Sequence, residues 1–366
     1  MSSPNLAESK EKELRVVAIG GGTGLSTLLR GLKRYVATPD RRRGIRIGDG
    51  PGPQAPALVP SPSLRCIVRE LSAVVTVTDD GGSSGRLRED LKILPPGDIR
   101  NCMVALSEDE HLLSKLFQFR FEHGDLEGHS FGNLFVAALS HITGDFAQAV
   151  QMSSQILAAR GKIYPSTNVN VSLAGQMDDG SVVRGETNIT ASKRSIVELR
   201  LEPATADPLP ETLEAIANAD LITLGPGSLY TSLITNLLVR GIPEALAASR
   251  ATKVFVCNLM TQANESLGLT ASQHIEKIMQ HAAVGARSPI FDYALINTGP
   301  ISAERLEQYA REGQEPIEAD LKRIRALGVE PITGNFVHEG DVLRHDYDRV
   351  AERVLTLGLE RLAPAQ

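Results

Sequence analysis

Arg15-Val16-Val17-Ala18-Ile19-Gly20-Gly21-Gly22-Thr23-Gly24-Leu25-Ser26-Thr27-Leu28-Leu29 reads as a strand, a glycine turn and the opening of a helix. The apolar run 15–19 has the near-continuous character of a parallel strand buried on both faces. Apolar residues at helical spacing continue through 25–34. Glycines at such a joint leave backbone N–H groups free, beside the positive end of the helix, to face an anion. A second version follows the predicted strand 221–224: Leu224-Gly225-Pro226-Gly227-Ser228, then the helical pattern 229–239. Two phosphate loops in one chain imply a ligand with phosphates in its middle, gripped from two strand ends.

Other short, β-branched-rich runs lie at 73–78, 253–258, 292–297 and 332–337. Helical patterns alternate with them at 98–106, 112–119, 133–142, 146–158, 211–218, 275–281, 303–311 and 347–357. This alternation predicts an α/β fold, a Rossmann-like three-layer αβα sandwich with a mostly parallel sheet. The stretch 169–199 predicts a small antiparallel excursion, with Asp178-Asp179-Gly180 as a hairpin turn. We expect one α/β domain over 14–360, a disordered start over 1–13 and a Pro/Gly-rich insertion over 36–62. The insertion carries Arg41-Arg42-Arg43, expected to be a solvated loop.

Composition narrows the partners. Lys+Arg 38 against Asp+Glu 44 gives a net charge of -6, which argues against nucleic-acid binding through a basic surface. No apolar stretch approaches the roughly 18 residues of a membrane span, and the polar start lacks a secretory core. Cys66, Cys102 and Cys257 are far apart and read as reduced core residues. A cytoplasmic location is expected.

In an open parallel sheet, ligands sit beyond the carboxyl ends of the strands. After the second strand comes Thr78-Asp79-Asp80-Gly81-Gly82-Ser83-Ser84-Gly85-Arg86. Asp79 and Asp80 there would accept sugar or ribose hydroxyls, hold a divalent cation, or form a plain Asp-Gly turn. Leu94-Pro95-Pro96-Gly97-Asp98-Ile99-Arg100-Asn101 predicts a rigid turn delivering a helix, with Asp98 as its N-cap and Arg100 able to fork onto a diphosphate. In Gly128-His129-Ser130-Phe131-Gly132-Asn133, His129 is a general acid, a ligand donor or a structural turn residue. Asn258-Leu259-Met260-Thr261-Gln262 suits a base edge or sugar hydroxyls. Gly20–Gly24 matches neither the G-x-G-x-x-G fingerprint nor a P-loop, which argues against ordinary nucleoside-triphosphate hydrolysis. Ser83 fits the letters of a nucleophile elbow. Two aspartates intervene after the strand, however, and no clear apolar helix is expected after Gly85. His274 and His281 read as surface residues.

Taken together, Ile19–Gly24, Thr76–Arg86, Leu94–Asn101, Gly128–Asn133, Leu224–Ser232, Cys257–Gln262 and Arg344-His345-Asp346 resemble the YvcK branch of the CofD-like family. The resemblance runs from about Arg15 to Leu357. It implies a protein that binds UDP-sugars such as UDP-N-acetylglucosamine and acts as a gluconeogenesis factor supporting growth and cell shape on gluconeogenic carbon sources. The founding enzyme of the wider family transfers a phospholactyl group from a guanosine diphosphate conjugate to a deazaflavin, with magnesium. Asp79–Ser84 resembles the regulatory branch instead. Where that branch reads Met-Thr-Gln-Pro-Gly-Glu-Thr, this chain has Met260-Thr261-Gln262-Ala263-Asn264-Glu265-Ser266.

The expected ligand set follows from both readings. Gly21, Gly22, Thr23, Gly24, Gly225, Gly227 and Ser228 cradle the diphosphate, and Arg100 neutralises it. Asp79, Asn133 and Asn258 bond sugar or ribose, and Asp80, Asn101, His129, Tyr230, Thr231, Thr261 and Gln262 complete the site. No metal and no cofactor is required; magnesium, held at Asp79 and Asp80, enters with the transferase alternative. A regulatory protein partner is expected, and a homodimer is left open.

Overall fold

The computed structural model describes residues 13–37, 67–108, 112–192, 194–263, 265–282 and 290–362. The start over 1–12, nearly all of the 36–62 insertion, Cys66 and Asn264 lie outside them. Of the insertion, Val36 and Ala37 are described, and they run alongside Val68, with the Ala37 N–H donating to its carbonyl.

Strands β1 (Leu14–Gly20), β2 (Val68–Val75), β3 (Lys162–Pro165), β7 (Leu221–Leu224), β8 (Thr252–Val256), β9 (Tyr293–Asn297) and β10 (Glu330–Gly334) form one sheet. Its order is β10-β9-β8-β7-β1-β2-β3, and every pairing is parallel. The chain builds outward from β1 through β2 and β3, then returns to lay β7 on the other side of β1. The order therefore reverses between β1 and β7, which is where an open α/β sheet offers its crevice.

The central strands are buried on both faces. Val16, Ala18 and Ile19 of β1 and Ala73, Val74 and Val75 of β2 are at most 1% exposed. The helix Gly22–Leu32 buries Leu25, Leu28, Leu29 and Leu32, a single stripe at helical spacing. It packs against the helices Gly97–Leu106 and Tyr347–Leu362 on one face of the sheet. The helix Pro210–Asn218 and the helical segment Leu229–Leu237 contact β1 from the other face. Strands β4 (Ser172–Met177), β5 (Val182–Arg184) and β6 (Ile196–Glu202) make the antiparallel excursion, turning at Asp178–Gly180 as expected. The three-layer α/β architecture is the one the alternation predicts.

Several local expectations change. The segment 332–337 is not one strand: β10 ends at Gly334. Val337 then opens a hairpin of β11 (Val337–Glu339) and β12 (Leu343–His345). Strand β3 was not foreseen, because four residues ending in proline carry little periodicity; at the sheet edge, proline costs no ladder bond. A helix, Gly82–Leu91, does follow the Asp79–Gly81 turn, and Ser83 lies in its first turn. Its apolar residues are too few to announce it. The segment after the second glycine loop starts with wide π-helical turns over Leu229–Ile234. His274 is buried rather than superficial, and His281 is half-buried, with its ring edge-on to Tyr230.

Cys102 and Cys257 are buried free thiols, and burial pushes Cys257 up to about 12. No described helix is long and apolar enough to cross a membrane.

Candidate functional site

Because β1 and β7 are hydrogen-bonded neighbours, with Ile19 opposite Leu224, their glycine loops emerge side by side. The Gly225 N–H donates to the Ile19 carbonyl at 3.0 Å. The loops then touch. A Cβ on Gly24 would collide with the Pro226 carbonyl oxygen and stand 2.7 Å from its carbon. Only glycine allows this approach. Gly22, at φ 60°, opens the first helix in the left-handed region that glycine tolerates. Gly21 precedes it as N-cap with no side-chain bond.

Above this floor lies a groove in two joined parts, which share Thr23, Thr27, Arg344 and His345. The larger, about 510 Å³, is walled by Arg30, Arg100, Asn101, Gln118, His338 and Tyr347. The smaller, about 230 Å³, is walled by Pro226, Gly227, Asn258, Met260, Gln262 and Tyr309. No aspartate or glutamate lines either part. Arginines beside the glycine-opened helix, with no carboxylate in the lining, fit an anion by composition, while the Gly22 and Gly227 N–H groups are taken by Asp98 and Asn258.

Several expected residues meet here. Asn258 braces the second loop in both directions. Its Oδ1 accepts from the Gly227 N–H at 3.2 Å, and its Nδ2 donates to the Gly227 carbonyl at 2.7 Å. Gln262 Nε2 donates to Ser228 Oγ at 2.9 Å, leaving its buried Oε1 without a partner among the described residues. Arg100 Nη2 donates to Asn101 Oδ1 at 2.7 Å, while its buried Nε has no partner among the described residues. Desolvation and the nearby Arg120 lower the Arg100 pKa, against the pull of Asp98 and Asp79.

Carboxylates sit behind this floor. Asp98 is not the N-cap expected for its helix; Pro96 occupies that position. Its side chain instead accepts the Gly22 N–H, and burial with Asp79 nearby pushes its carboxyl up to about 7. Glu265 caps the second glycine loop's helix, accepting from the Tyr230 N–H at 3.1 Å and Thr231 Oγ1 at 3.0 Å. Both helix ends are thus held by half-buried carboxylates, Glu265 at the second and Asp98, raised to about 7, at the first.

Other expected residues stand outside the groove lining. Asp79 accepts from the Gly81 N–H at 2.9 Å, and Asp80 turns to the Thr187 N–H and hydroxyl at 2.8 and 2.6 Å. The neighbouring aspartates thus diverge, and Asp79 faces Asp98 and Glu186 electrostatically instead. His129 Nδ1 lies 3.1 Å from Ser83 Oγ, which also accepts from Asn133 Nδ2 at 3.1 Å. The Asn133 Oδ1 is buried without a partner among the described residues. Tyr230 and Thr261 are buried, bonded to the Ile196 carbonyl and the Glu315 backbone. Gly225 faces the Val256 carbonyl.

Sequence reasoning missed Arg30, Tyr309 and the hairpin residue Arg344 as groove walls. Arg344-His345-Asp346 carried a signal, since it belonged to the family pattern. The hairpin is pinned by His345 Nε2 donating to the Cys257 carbonyl at 3.0 Å and by the Leu343 N–H donating to Tyr309 Oη at 2.9 Å.

Residues 16–337 match the family model described as 2-phospho-L-lactate transferase CofD. The chain is 46% identical over 346 residues to the gluconeogenesis factor of Halalkalibacterium halodurans, covering 94% of this chain and 96% of that one. It is 43% identical over 345 residues to the gluconeogenesis factor of Bacillus subtilis, covering 94% and 98%. A crystal structure of a upf0052 family member from Bacillus halodurans superposes with a TM-score of 0.83 at 46% identity, covering 94% of this chain and 99% of that one. The switch-point groove and this similarity, carried along nearly the whole chain, lead to one conclusion: the chain belongs to the CofD family, beside proteins named gluconeogenesis factors.

Proposed function

We propose that this chain is a cytoplasmic regulatory protein that binds a UDP-sugar, UDP-N-acetylglucosamine being the expected ligand. Through that binding it supports growth and cell shape on gluconeogenic carbon sources. The observation that carries the reading is the contact of Gly24 with Pro226 beneath a groove lined by arginine and free of carboxylates. The diphosphate lies across Thr23, Gly24 and Gly227. The smaller part takes the nucleoside, with Met260 and Tyr309 as apolar contacts and the amides of Asn258 and Gln262 for base or ribose. The larger part takes the sugar. Binding closes the hairpin of β11 and β12 on the ligand and presents that surface to a regulatory partner.

Calorimetric titration with UDP-N-acetylglucosamine, UDP-glucose, GDP and NAD, with and without magnesium, tests this reading. Metal-independent binding of a UDP-sugar recovered intact supports it. Magnesium-dependent conversion of a guanosine conjugate replaces it with the transferase reading. One observation favours that second reading: Asp98 stands beside Gly22, with Asp79 near enough to raise its carboxyl. No group of three or more His, Cys, Asp or Glu among the described residues is placed to hold a metal. A magnesium ion would therefore take two carboxylates and complete its shell with water and the ligand's phosphates.

A further inference from the structure

The helix Leu112–Gln118 carries large apolar residues on two sides, and the fold covers only one of them. Its inner side is fixed in the core. The Phe117 ring lies 5.0 Å from Phe135 and 6.0 Å from Phe131, and Leu113 packs alongside. Its outer side carries Leu112 and Leu116, one turn apart, and the chain beyond the helix adds Phe119 and Leu126. All four are exposed, Leu112 by 74% and Phe119 by 51%. Single exposed leucines are ordinary on a protein surface, but a helix apolar on both sides is expected to be covered on both. The row is also stiff. The Phe131 N–H donates to the Phe119 carbonyl at 2.8 Å, and the Phe121 N–H to the His129 carbonyl at 2.9 Å. The Phe119 and Phe121 rings stand edge-on at 5.2 Å.

The charges beside this row point to its occupant. Lys115 and Glu122 are exposed, opposite in sign, and bracket the segment Leu116–Phe121. Neither has an ion-pair partner among the described residues. An isologous interface sets residue i against j and j against i. A two-fold axis near Phe119 would therefore bring Lys115 of each copy to Glu122 of the other. The same axis sets Leu112 against Leu126 and Leu116 against Phe121, in both directions. The row is complementary to itself in charge and in apolar content, as the core of a homodimer interface is. We infer that this row is where a second copy of the chain docks, antiparallel to the first, with Lys115 and Glu122 paired across the seam. Gln118, the last residue of the same helix, also walls the larger part of the groove, so the second copy stands at the groove's rim.

Sedimentation velocity of the full chain over a range of concentrations tests this. At about 10 µM the wild type is expected to sediment at twice the mass of one chain. L112E and L116E place like charges in the seam and should weaken association at least about a hundredfold. K115E and E122K each set like charges against one another, and each should weaken it about tenfold. The K115E/E122K double variant restores opposite pairs, and its affinity should return to within about threefold of the wild type. All four positions are exposed, so the variants keep the fold, and melting curves verify this. A wild type that stays monomeric overturns the inference. So does a dimer that L112E and L116E leave intact, or a double variant no better associated than K115E and E122K alone.

Discussion

Gly24 and Pro226 are in contact through backbone alone, the Cα of one against the carbonyl of the other. Two loops separated by two hundred residues of chain thereby become one surface. Replacing Gly24 with alanine would drive a methyl group into that carbonyl and part the loops. We expect a loss of about 1–3 kcal/mol in stability, read by chemical denaturation, and at least tenfold weaker binding of UDP-N-acetylglucosamine. A variant that keeps full affinity would show that the two loops do not act jointly on the ligand.

Asn258 is predicted to work through Gly227, since both polar atoms of its amide are spent on that residue's backbone. Asn258→Ala frees the second loop, and ligand affinity falls about 5–30-fold, the worth of one to two buried hydrogen bonds. Asn258→Asp loses the donor and brings charge toward the phosphates, so it should bind more weakly than alanine. The order of the two variants in calorimetry decides the point.

The Asp98 carboxyl, raised to about 7, makes anion binding sensitive to pH. A bound phosphate near Gly22 disfavours the ionised carboxylate, so binding raises this pKa further and takes up a proton. Affinity should therefore be highest below pH 7 and decline as pH rises through 7, by at most tenfold per unit. Asp98→Asn should flatten the profile between pH 6 and 8.5.

Burial drives His345 down from 6.5 to about 4, opposed by its bond to the Cys257 carbonyl. The folded protein thus refuses a proton that the unfolded chain accepts below 6.5. Its contribution is complete above pH 6.5, and about 3 kcal/mol is lost as pH falls toward 4. His129, His274 and His281 are lowered in the same sense and steepen the decline. Urea denaturation across pH 4–7 should show a slope smaller by about one proton in His345→Gln.

The sheet was legible because its central strands are buried on both faces and so read as unbroken apolar runs. The glycine loops were legible because close backbone approach admits no other residue. What escaped was set by tertiary contact. Strand β3 carries only Lys162–Pro165 and depends on β2 for its conformation. The divergence of Asp79 and Asp80 depends on Thr187, which arrives from the antiparallel excursion. Arg30 carries no signal in the sequence, because nothing local reveals that β12 stands across from it.

That last arrangement bears on how the protein is made. The floor of the groove, with the Asn258 and Gln262 side chains that brace its second loop, is complete once residue 262 has left the ribosome, yet Arg344 and His345 follow about eighty residues later. At about 5–20 residues per second, a nascent chain carries the floor for several seconds or longer before its far wall exists. A ligand held by both cannot reward the partly built molecule. It stabilises finished copies only, and so distinguishes complete chains from interrupted ones.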